Sequence, residues 1–408
     1  MVNILIVHEV DWLNKVVFEI HNTAEQMSLL GHQVFAIDYE DRWQRENIFN
    51  LLSLKTREFP NVSRTVPGAS VHLIRPGFIR IPGVSRLSAA FTHYGEIRRV
   101  LKEKNIDVIL LYSVPTNGLQ TVYLARKLGI PVVFRSIDIL HRLVRYPLLR
   151  PITRFLEKRV YLKVDKILAI APRYVNYLLQ MGVPEAKIKL VLMPIDTSLF
   201  RPREESGELR QKWGLAEGDK VIVFIGTLFE FCGLDRFISL LPGIVAEVPQ
   251  ARLLIVGDGP QRPKLERLIA KLNLERHVII TGFQPYPTMP QYINMAALCI
   301  NTFLNTRETT DIFPGKILQY LACGKATVAT PLRGITSIVP GESGGVVYAD
   351  LDDMGETVVN LLKLPPRRRE LGQAGLEYIQ RNHSYELISR QFEEELLAAI
   401  EQKDRTQR

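Results

Sequence analysis

Asp311-Ile-Phe-Pro-Gly-Lys-Ile-Leu-Gln-Tyr-Leu-Ala-Cys-Gly-Lys-Ala-Thr-Val-Ala-Thr330 is the stretch on which the reading of this chain turns. Proline is favoured at the first position of a helix and glycine just past its last, so Pro314 opens a helix that Cys323 and Gly324 close. A buried strand follows from Ala326. The helix start leaves the amides of Gly315, Lys316 and Ile317 pointing outward without an internal acceptor, and Lys316 adds a cation in the same turn. Such a start is suited to a phosphate. Asp311 and Gln319, eight residues apart, bracket it and are spaced to bond sugar hydroxyls.

Working outward, the second half alternates apolar strands at Lys220–Ile225, Arg252–Val256, Val278–Thr281, Ala297–Asn301 and Thr327–Thr330 with helices near Leu234–Val245, Pro260–Leu272 and Pro287–Asn294. The first half does the same, with strands at Ile4–His8, Gln33–Ile37, Val108–Tyr112, Val132–Arg135 and Lys166–Ile170. Its helices read near Lys15–Leu30, Arg86–Lys104, Gly118–Leu128 and Arg173–Met181. Near-continuous apolar strands separated by helices mean parallel sheets covered on both faces. Between the halves, Met193-Pro-Ile-Asp-Thr-Ser-Leu-Phe-Arg-Pro-Arg203 reads as a linker. The expected fold is α/β: two doubly wound, Rossmann-like domains, 1–196 and 197–382, facing across a cleft. Ligands of such sheets bind beyond the carboxyl ends of the strands. Residues 383–408 read as an amphipathic helix, with Tyr385, Ile388, Phe392, Leu396 and Ile400 at helical spacing, expected to cross back to the first domain.

At 408 residues the chain is long for one core and natural for two, and its 46% hydrophobic share argues for a folded globular protein. No apolar run approaches the ~18 residues that a membrane span needs. Met1-Val-Asn-Ile-Leu-Ile-Val-His8 enters a strand directly, without the basic flank and small-residue cleavage site of a signal peptide, so a cytoplasmic location is expected. Cys232, Cys299 and Cys323 are odd in number and lack metal-ligand spacing; buried, reduced thiols and no bound metal are the expectation.

The net charge of +9 is unevenly placed. Residues 1–200 hold 27 Lys+Arg against 17 Asp+Glu, and residues 201–408 hold 25 against 26, so the halves carry +10 and −1. The densest segment is His141–Lys166, where Arg142, Arg145, Arg150, Arg154, Lys158, Arg159, Lys163 and Lys166 face only Glu157 and Asp165. Leu148, Leu149, Phe155 and other apolar residues interleave with them. Two readings stay open: a solvated face on a packed helix, or a surface for an anionic membrane at the inner face of the cell membrane. Nucleic acid is not expected, since no recognition motif accompanies the charge.

Two further glycine turns end strands of the second half: Gly226-Thr-Leu228 and Gly257-Asp-Gly-Pro260. In order along the chain, Met193-Pro-Ile-Asp-Thr-Ser-Leu-Phe200, Gly226-Thr-Leu with Cys232-Gly-Leu, Leu254-Ile-Val-Gly-Asp-Gly-Pro260, Thr281-Gly-Phe283 and Pro314-Gly-Lys-Ile-Leu-Gln-Tyr-Leu-Ala-Cys-Gly-Lys325 resemble the signatures of retaining glycosyltransferases of family 4, which have the two-domain GT-B fold. The resemblance is specific over 193–330 and loose over 1–130. It implies hexosyltransferase-type transfer of a sugar from a nucleotide-diphosphate sugar, as substrate, to an acceptor hydroxyl with retention, without metal or other cofactor. Polysaccharide or glycolipid synthesis is the implied setting, with a saccharide or lipid-linked acceptor. The donor would sit on the second domain, against Gly226, Thr227, Arg236, Gly257, Asp311, Phe313, Gly315, Lys316, Ile317 and Gln319. Glu9, Asp11, Asn14 and Arg173 are acceptor-side candidates on the first.

This chain departs from the family at charged positions. An Arg usual after the first glycine is Thr227, and a Lys usual further along that loop is Cys232. The paired glutamates fall on Asp311 and Gln319. On the first domain the catalytic His-Asp pair reads Ile137-Asp138, with His141 three residues on, so Asp138 and His141 are the catalytic candidates. Such losses leave open a non-catalytic binding or scaffold subunit, and the architecture also admits a nucleotide-sugar 2-epimerase.

Overall fold

The computed structural model describes residues 1–14, 17, 19–40, 52–82, 84–144 and 147–407, which form two compact units: Met1–Met193 with Glu386–Arg408, and Pro194–Tyr385. Lys15, where the first helix was expected to begin, and Arg145 of the basic segment lie outside the described residues.

The first unit holds strands β1 (Asn3–Val7), β2 (Gln33–Ile37), β3 (Leu52–Ser53), β4 (Arg57–Val62), β5 (Val71–Arg75), β6 (Phe78–Ile79), β7 (Val108–Leu111), β8 (Val132–Ser136), β9 (Lys166–Ala169) and β10 (Ile188–Leu190). Eight of them form one sheet in the order β10-β9-β8-β7-β1-β2-β5-β4. All pairs are parallel except β4 on β5, and β3 pairs with β6 separately. The helices are α1 (Glu19–Leu29), α2 (Ser85–Glu103), α3 (Gly118–Leu128), α4 (Leu140–Leu143), α5 (Arg150–Lys163) and α6 (Pro172–Gln180). Central strands such as β7, Val-Ile-Leu-Leu, are buried along their whole length because helices cover both faces. The antiparallel edge escapes a reading by apolar pattern: β4 is largely exposed and carries Pro60, which an edge strand tolerates because a lost donor there faces no neighbour.

In the second unit six strands, β11 (Lys220–Ile225), β12 (Ala251–Val256), β13 (Val278–Ile280), β14 (Leu298–Asn301), β15 (Thr327–Ala329) and β16 (Val346–Tyr348), run parallel in the order β13-β12-β11-β14-β15-β16. They are connected or covered by α7 (Gly207–Lys212), α8 (Leu234–Glu247), α9 (Arg262–Lys271), α10 (Met289–Asn294), α11 (Lys316–Ala322), α12 (Arg333–Thr336), α13 (Met354–Lys363) and α14 (Pro365–Asn382). A last helix, α15 (Tyr385–Gln407), runs mostly within the first unit. Its Ile388, Phe392, Leu396 and Ala399 are buried in one cluster with Ile4, Ile6 and Val34. Burying each of the larger three contributes about 1.5–3 kcal/mol. Arg135 at the end of β8 completes that anchorage, with its guanidinium 4.9 Å from the Phe392 ring centroid, bonded to Glu19 and to the Val191 carbonyl at 2.6 Å.

Each sheet has one place where the strand order reverses. In the first unit the chain winds from β1 to β2 on one side and takes up β7 on the other; in the second it winds from β11 to β12 and takes up β14. The crevice outside the carboxyl ends at such a point is the natural ligand site of the architecture.

Candidate functional site

At the second unit's reversal point the first residue beyond β11 is Gly226, with φ +141, a conformation that disfavours side chains. A Cβ on Gly226 would come within 2.7 Å of the Lys316 ammonium. The lysine thus fills the space that the glycine leaves. Its Nζ lies 3.9 Å from the ring centroid of Phe224, on β11, and 4.6 Å from that of Phe303, just beyond β14. The cation therefore straddles the two strands at the reversal point, held by ring quadrupoles. Among the described residues no carboxylate pairs with it. Burial pushes its pKa down to about 7 against the opposing influence of the Cys232 thiol.

Two further contacts fix this arrangement. The Ile225 amide donates to the Tyr320 hydroxyl at 2.8 Å, tying α11 to the end of β11. Gly257, φ +148 at the end of β12, sits so close to Gly226 that a Cβ there would strike the Gly226 carbonyl. Gly257 also bridges to Gly282 beyond β13. Three neighbouring strand ends thus meet through glycines, leaving backbone accessible beside Lys316.

The helix itself is shorter than its sequence suggests. It begins at Lys316, not Pro314, and the Ile317 amide is taken by the Pro314 carbonyl at 2.9 Å. Pro314 and Gly315 form a tight turn before the helix, so Ile317 is removed from the expected set of outward amides, and its side chain is buried. Gly315 and Phe313 remain partly exposed on this loop. Asp311 is ion-paired with Arg333 of α12 at 2.6 Å. Gln319 lies beside the Tyr286 hydroxyl, whose pKa burial pushes up to about 12 while Gln319 works against that shift. Thr227 is exposed, while Cys232 is buried and its thiol donates to the Thr227 carbonyl at 3.3 Å. The position where the family carries a lysine is therefore closed on itself. Arg236 is engaged by Asp352 at 2.6 Å in an exposed pair.

On the first unit the candidates disperse. Glu9, beyond β1, accepts the amides of Thr116 and Asn117, both at 2.8 Å, and pairs with Arg86 at 3.0 Å. It caps the approach to α3. Asp11 is fully buried, 2.7 Å from Arg75, and accepts the amides of Leu13 and Asn14 at 3.0 Å. The Asn14 side chain donates back to Asp11 at 3.1 Å. These three were expected along an acceptor rim; an ion pair between the loop after β1 and Arg75 of β5, and a helix cap, engage the two carboxylates. Asp138 follows β8, where burial pushes its carboxyl up and Arg173 works against that shift. Arg173, at the start of α6, lies over the Tyr174 ring at 4.4 Å, and its Nε is buried without a partner. Asp138 and Arg173 thus share one electrostatic environment beyond β8 and β9. His141 does not join them in bonding: its Nδ1 lies 2.6 Å from Glu157 of α5.

Phe224, Phe303, Arg333 and Tyr286 were not singled out by the sequence. Aromatic residues in and beside apolar strands read as core, and the partners of Asp311 and Gln319 lie 22 and 33 residues away, beyond any local spacing. Among the described residues no group of three or more His, Cys, Asp or Glu could hold a metal ion, and no helix is long and apolar enough to cross a membrane. All three cysteines are free and buried.

Two family models match the chain: "Glycosyl transferase 4-like domain" over residues 17–193 and "Glycosyl transferases group 1" over residues 219–364. N-acetyl-alpha-D-glucosaminyl L-malate synthase of Bacillus anthracis is 24% identical over 56% of this chain and 58% of its own. A GDP-mannose-dependent alpha-(1-6)-phosphatidylinositol monomannoside mannosyltransferase of Mycolicibacterium smegmatis is 31% identical over 47% of this chain and 51% of its own. The chain spans about half the length of these curated relatives. Among solved structures, HepE of Anabaena in complex with UDP superposes with a TM-score of 0.70 at 16% identity, over 96% of this chain and 99% of that one.

Proposed function

The chain belongs to the group 1, family 4 glycosyltransferases of GT-B fold, and from that premise we propose that it moves a sugar from a nucleoside-diphosphate sugar to an acceptor hydroxyl, with retention and without a metal ion. The observation that carries this reading is the Lys316 ammonium at the second unit's reversal point, uncompensated by any carboxylate among the described residues. As the glycosidic bond breaks, the departing diphosphate gains negative charge. A preorganised cation in a poorly solvated place stabilises that charge more than it stabilises the ground state.

Lys316 and the loop of Gly226, Thr227, Gly257 and Gly315 are the diphosphate cradle in this proposal. It restores the charge missing at Thr227 and Cys232, and for that reason we favour an active enzyme over a scaffold. Asp311 and Gln319 are assigned to sugar and ribose hydroxyls, with Arg333 and Tyr286 positioning them. On the first unit, Asp138 and Arg173 are the acceptor-side pair. The phosphatidylinositol-mannoside relative and the +10 charge of the first 200 residues support a lipid-borne acceptor and a peripheral location on a membrane.

The test is a thermal-shift and calorimetric screen across uridine, guanosine and adenosine diphosphates and their sugars, because a ligand of the native state alone raises its melting temperature. At least one diphosphate should bind in the presence of a chelator. If none does, the donor assignment is wrong.

A further inference from the structure

We propose that an open pocket of about 590 Å³ beside α5 in the first unit binds the phosphate ester of a membrane lipid, with Arg150, Arg154, Lys158 and His141 as its ligands and an apolar ledge for the adjoining lipid. The assignment of a lipid, not a soluble phosphate, rests on the lipid-borne acceptor proposed above; the pocket rests on its own geometry.

Arg150, Arg154 and Lys158 recur every four residues of α5 and so share one helical stripe. Like charges at this spacing repel, which an ordinary surface helix offsets with interleaved acids. On α2, Arg99 is paired with both Glu96 and Glu103, each at 2.9 Å. Among the described residues the three α5 cations have no such carboxylate partner. The acid available on their own helix, Glu157, is wholly buried and committed elsewhere. It lies 2.6 Å from His141 Nδ1 and accepts from the hydroxyls of Tyr177 at 3.1 Å and Tyr161 at 3.2 Å.

That buried carboxylate orients the imidazole. A carboxylate can only accept, so the Nδ1 proton is held toward Glu157, and Nε2 is the nitrogen left for the pocket. An anion there finds three cations and the imidazole around one cavity. A phosphate ester, with several acceptor oxygens and up to two charges, matches that set.

The lipid part of the proposal follows from the ledge. Phe155, which lines the pocket, is 55% exposed, and Leu148, between the lining residues Pro147 and Arg150, is 90% exposed. Arg159 lies 4.9 Å from the Phe155 ring centroid, extending the mixture of cation and apolar surface. Exposed apolar side chains interleaved with uncompensated cations fit the boundary between headgroup and acyl chain, where apolar burial and phosphate attraction act together.

The experiment is co-sedimentation of the full chain with phosphatidylcholine vesicles in which one lipid in five is phosphatidic acid. Wild type should bind these and not pure phosphatidylcholine. Arg154→Gln with Lys158→Gln should weaken the partition about 30-fold, from roughly fivefold per cation near the surface. Arg126→Gln with Lys127→Gln, the same charge loss on α3, should weaken it by much less. Equal losses in the two doubles would mean diffuse attraction and overturn the pocket, as would no loss in the first. Leu148→Ser with Phe155→Ser should also lose vesicles. If wild type takes up glycerol phosphate calorimetrically but sediments with neither kind of vesicle, the site serves a soluble ester and the lipid assignment falls. Titration with nucleoside diphosphates reports on the donor reading separately, so a chain that binds them but no vesicle keeps the one and loses the other.

Discussion

The two reversal points are built on one topological plan and finished in opposite ways. In the second unit the crevice beyond β11 and β14 holds a lysine that no carboxylate neutralises among the described residues. In the first, the crevice beyond β1 and β7 is occupied by the protein's own anion: Glu9 takes two amides at the approach to α3 and pairs with Arg86, which lies 4.1 Å from the Tyr39 ring centroid. Beneath it His93 is buried, bonded to Asn117 at 2.9 Å, its pKa pushed down to about 3 by burial and by Arg86. One crevice is internally satisfied and the other is not. A site that awaits a ligand carries uncompensated charge, whereas a satisfied crevice contributes stability.

The sharpest way to break this contrast is to truncate the two focal residues. Lys316→Ala should lower nucleoside-diphosphate affinity by about 10- to 150-fold, the range of a charged hydrogen bond worth roughly 1.5–3 kcal/mol. Calorimetric titration measures it, and unchanged affinity would put the phosphates elsewhere. The melting temperature should hold or rise, since a desolvated cation is removed. Glu9→Ala should do the reverse, costing about 1–3 kcal/mol of stability through stranded amides and an unpaired Arg86 while leaving diphosphate affinity alone. Thermal unfolding reads that loss as a few degrees per kcal/mol for a unit of this size. If Glu9→Ala instead spared stability and abolished transfer, the first crevice would be a working site and the contrast false.

Acidity gives a second handle on the open crevice. Lys316 titrates at about 7 when folded and at 10.5 ordinarily. Between those values the unfolded chain holds more protons, so this residue's contribution to stability rises with pH across that window. Diphosphate affinity moves the other way, because the ammonium that binds is lost as pH climbs. Affinity should fall about tenfold for each pH unit above 7 until the bound-state pKa is reached, an effect that Lys316→Arg removes, its guanidinium staying charged throughout. A flat profile in wild type would mean that Lys316 is charged throughout or remote from the ligand.

Much of this could be read before any coordinates, and the failures have physical causes. Both parallel sheets follow from apolar runs such as Val108–Leu111 and Lys220–Ile225, whose burial on both faces leaves a continuous pattern. The edge strand β4 does not, because a largely exposed strand with Pro60 carries no such run. At the second reversal point, a lysine at the start of α11 was legible from its place after Pro314 and Gly315. What holds it was not: Phe224 and Phe303 look like core residues from their surroundings, and Glu9 and Asp11 look like rim residues until their partners at Arg86 and Arg75 appear. Local spacing reports which face a residue is on, not which distant charge has already claimed it.

The smallest effect tests whether the open crevice has been weakened or retuned. Gln319 stands where the family resemblance implies a glutamate, and it lies beside the Tyr286 hydroxyl. With that hydroxyl protonated to about pH 12, Tyr286 is a dependable donor at any ordinary pH. Gln319→Glu would give it a charged acceptor and leave a second carboxylate oxygen for a ribose hydroxyl. A hydrogen bond gaining a charged acceptor strengthens by about 1 kcal/mol at most, so a gain in donor affinity of up to about fivefold is expected. Titration of the variant with the diphosphate found to bind wild type measures it. A loss of affinity instead would mean that Gln319 works as an amide donor here, and that this crevice is matched to a neutral partner beside Lys316.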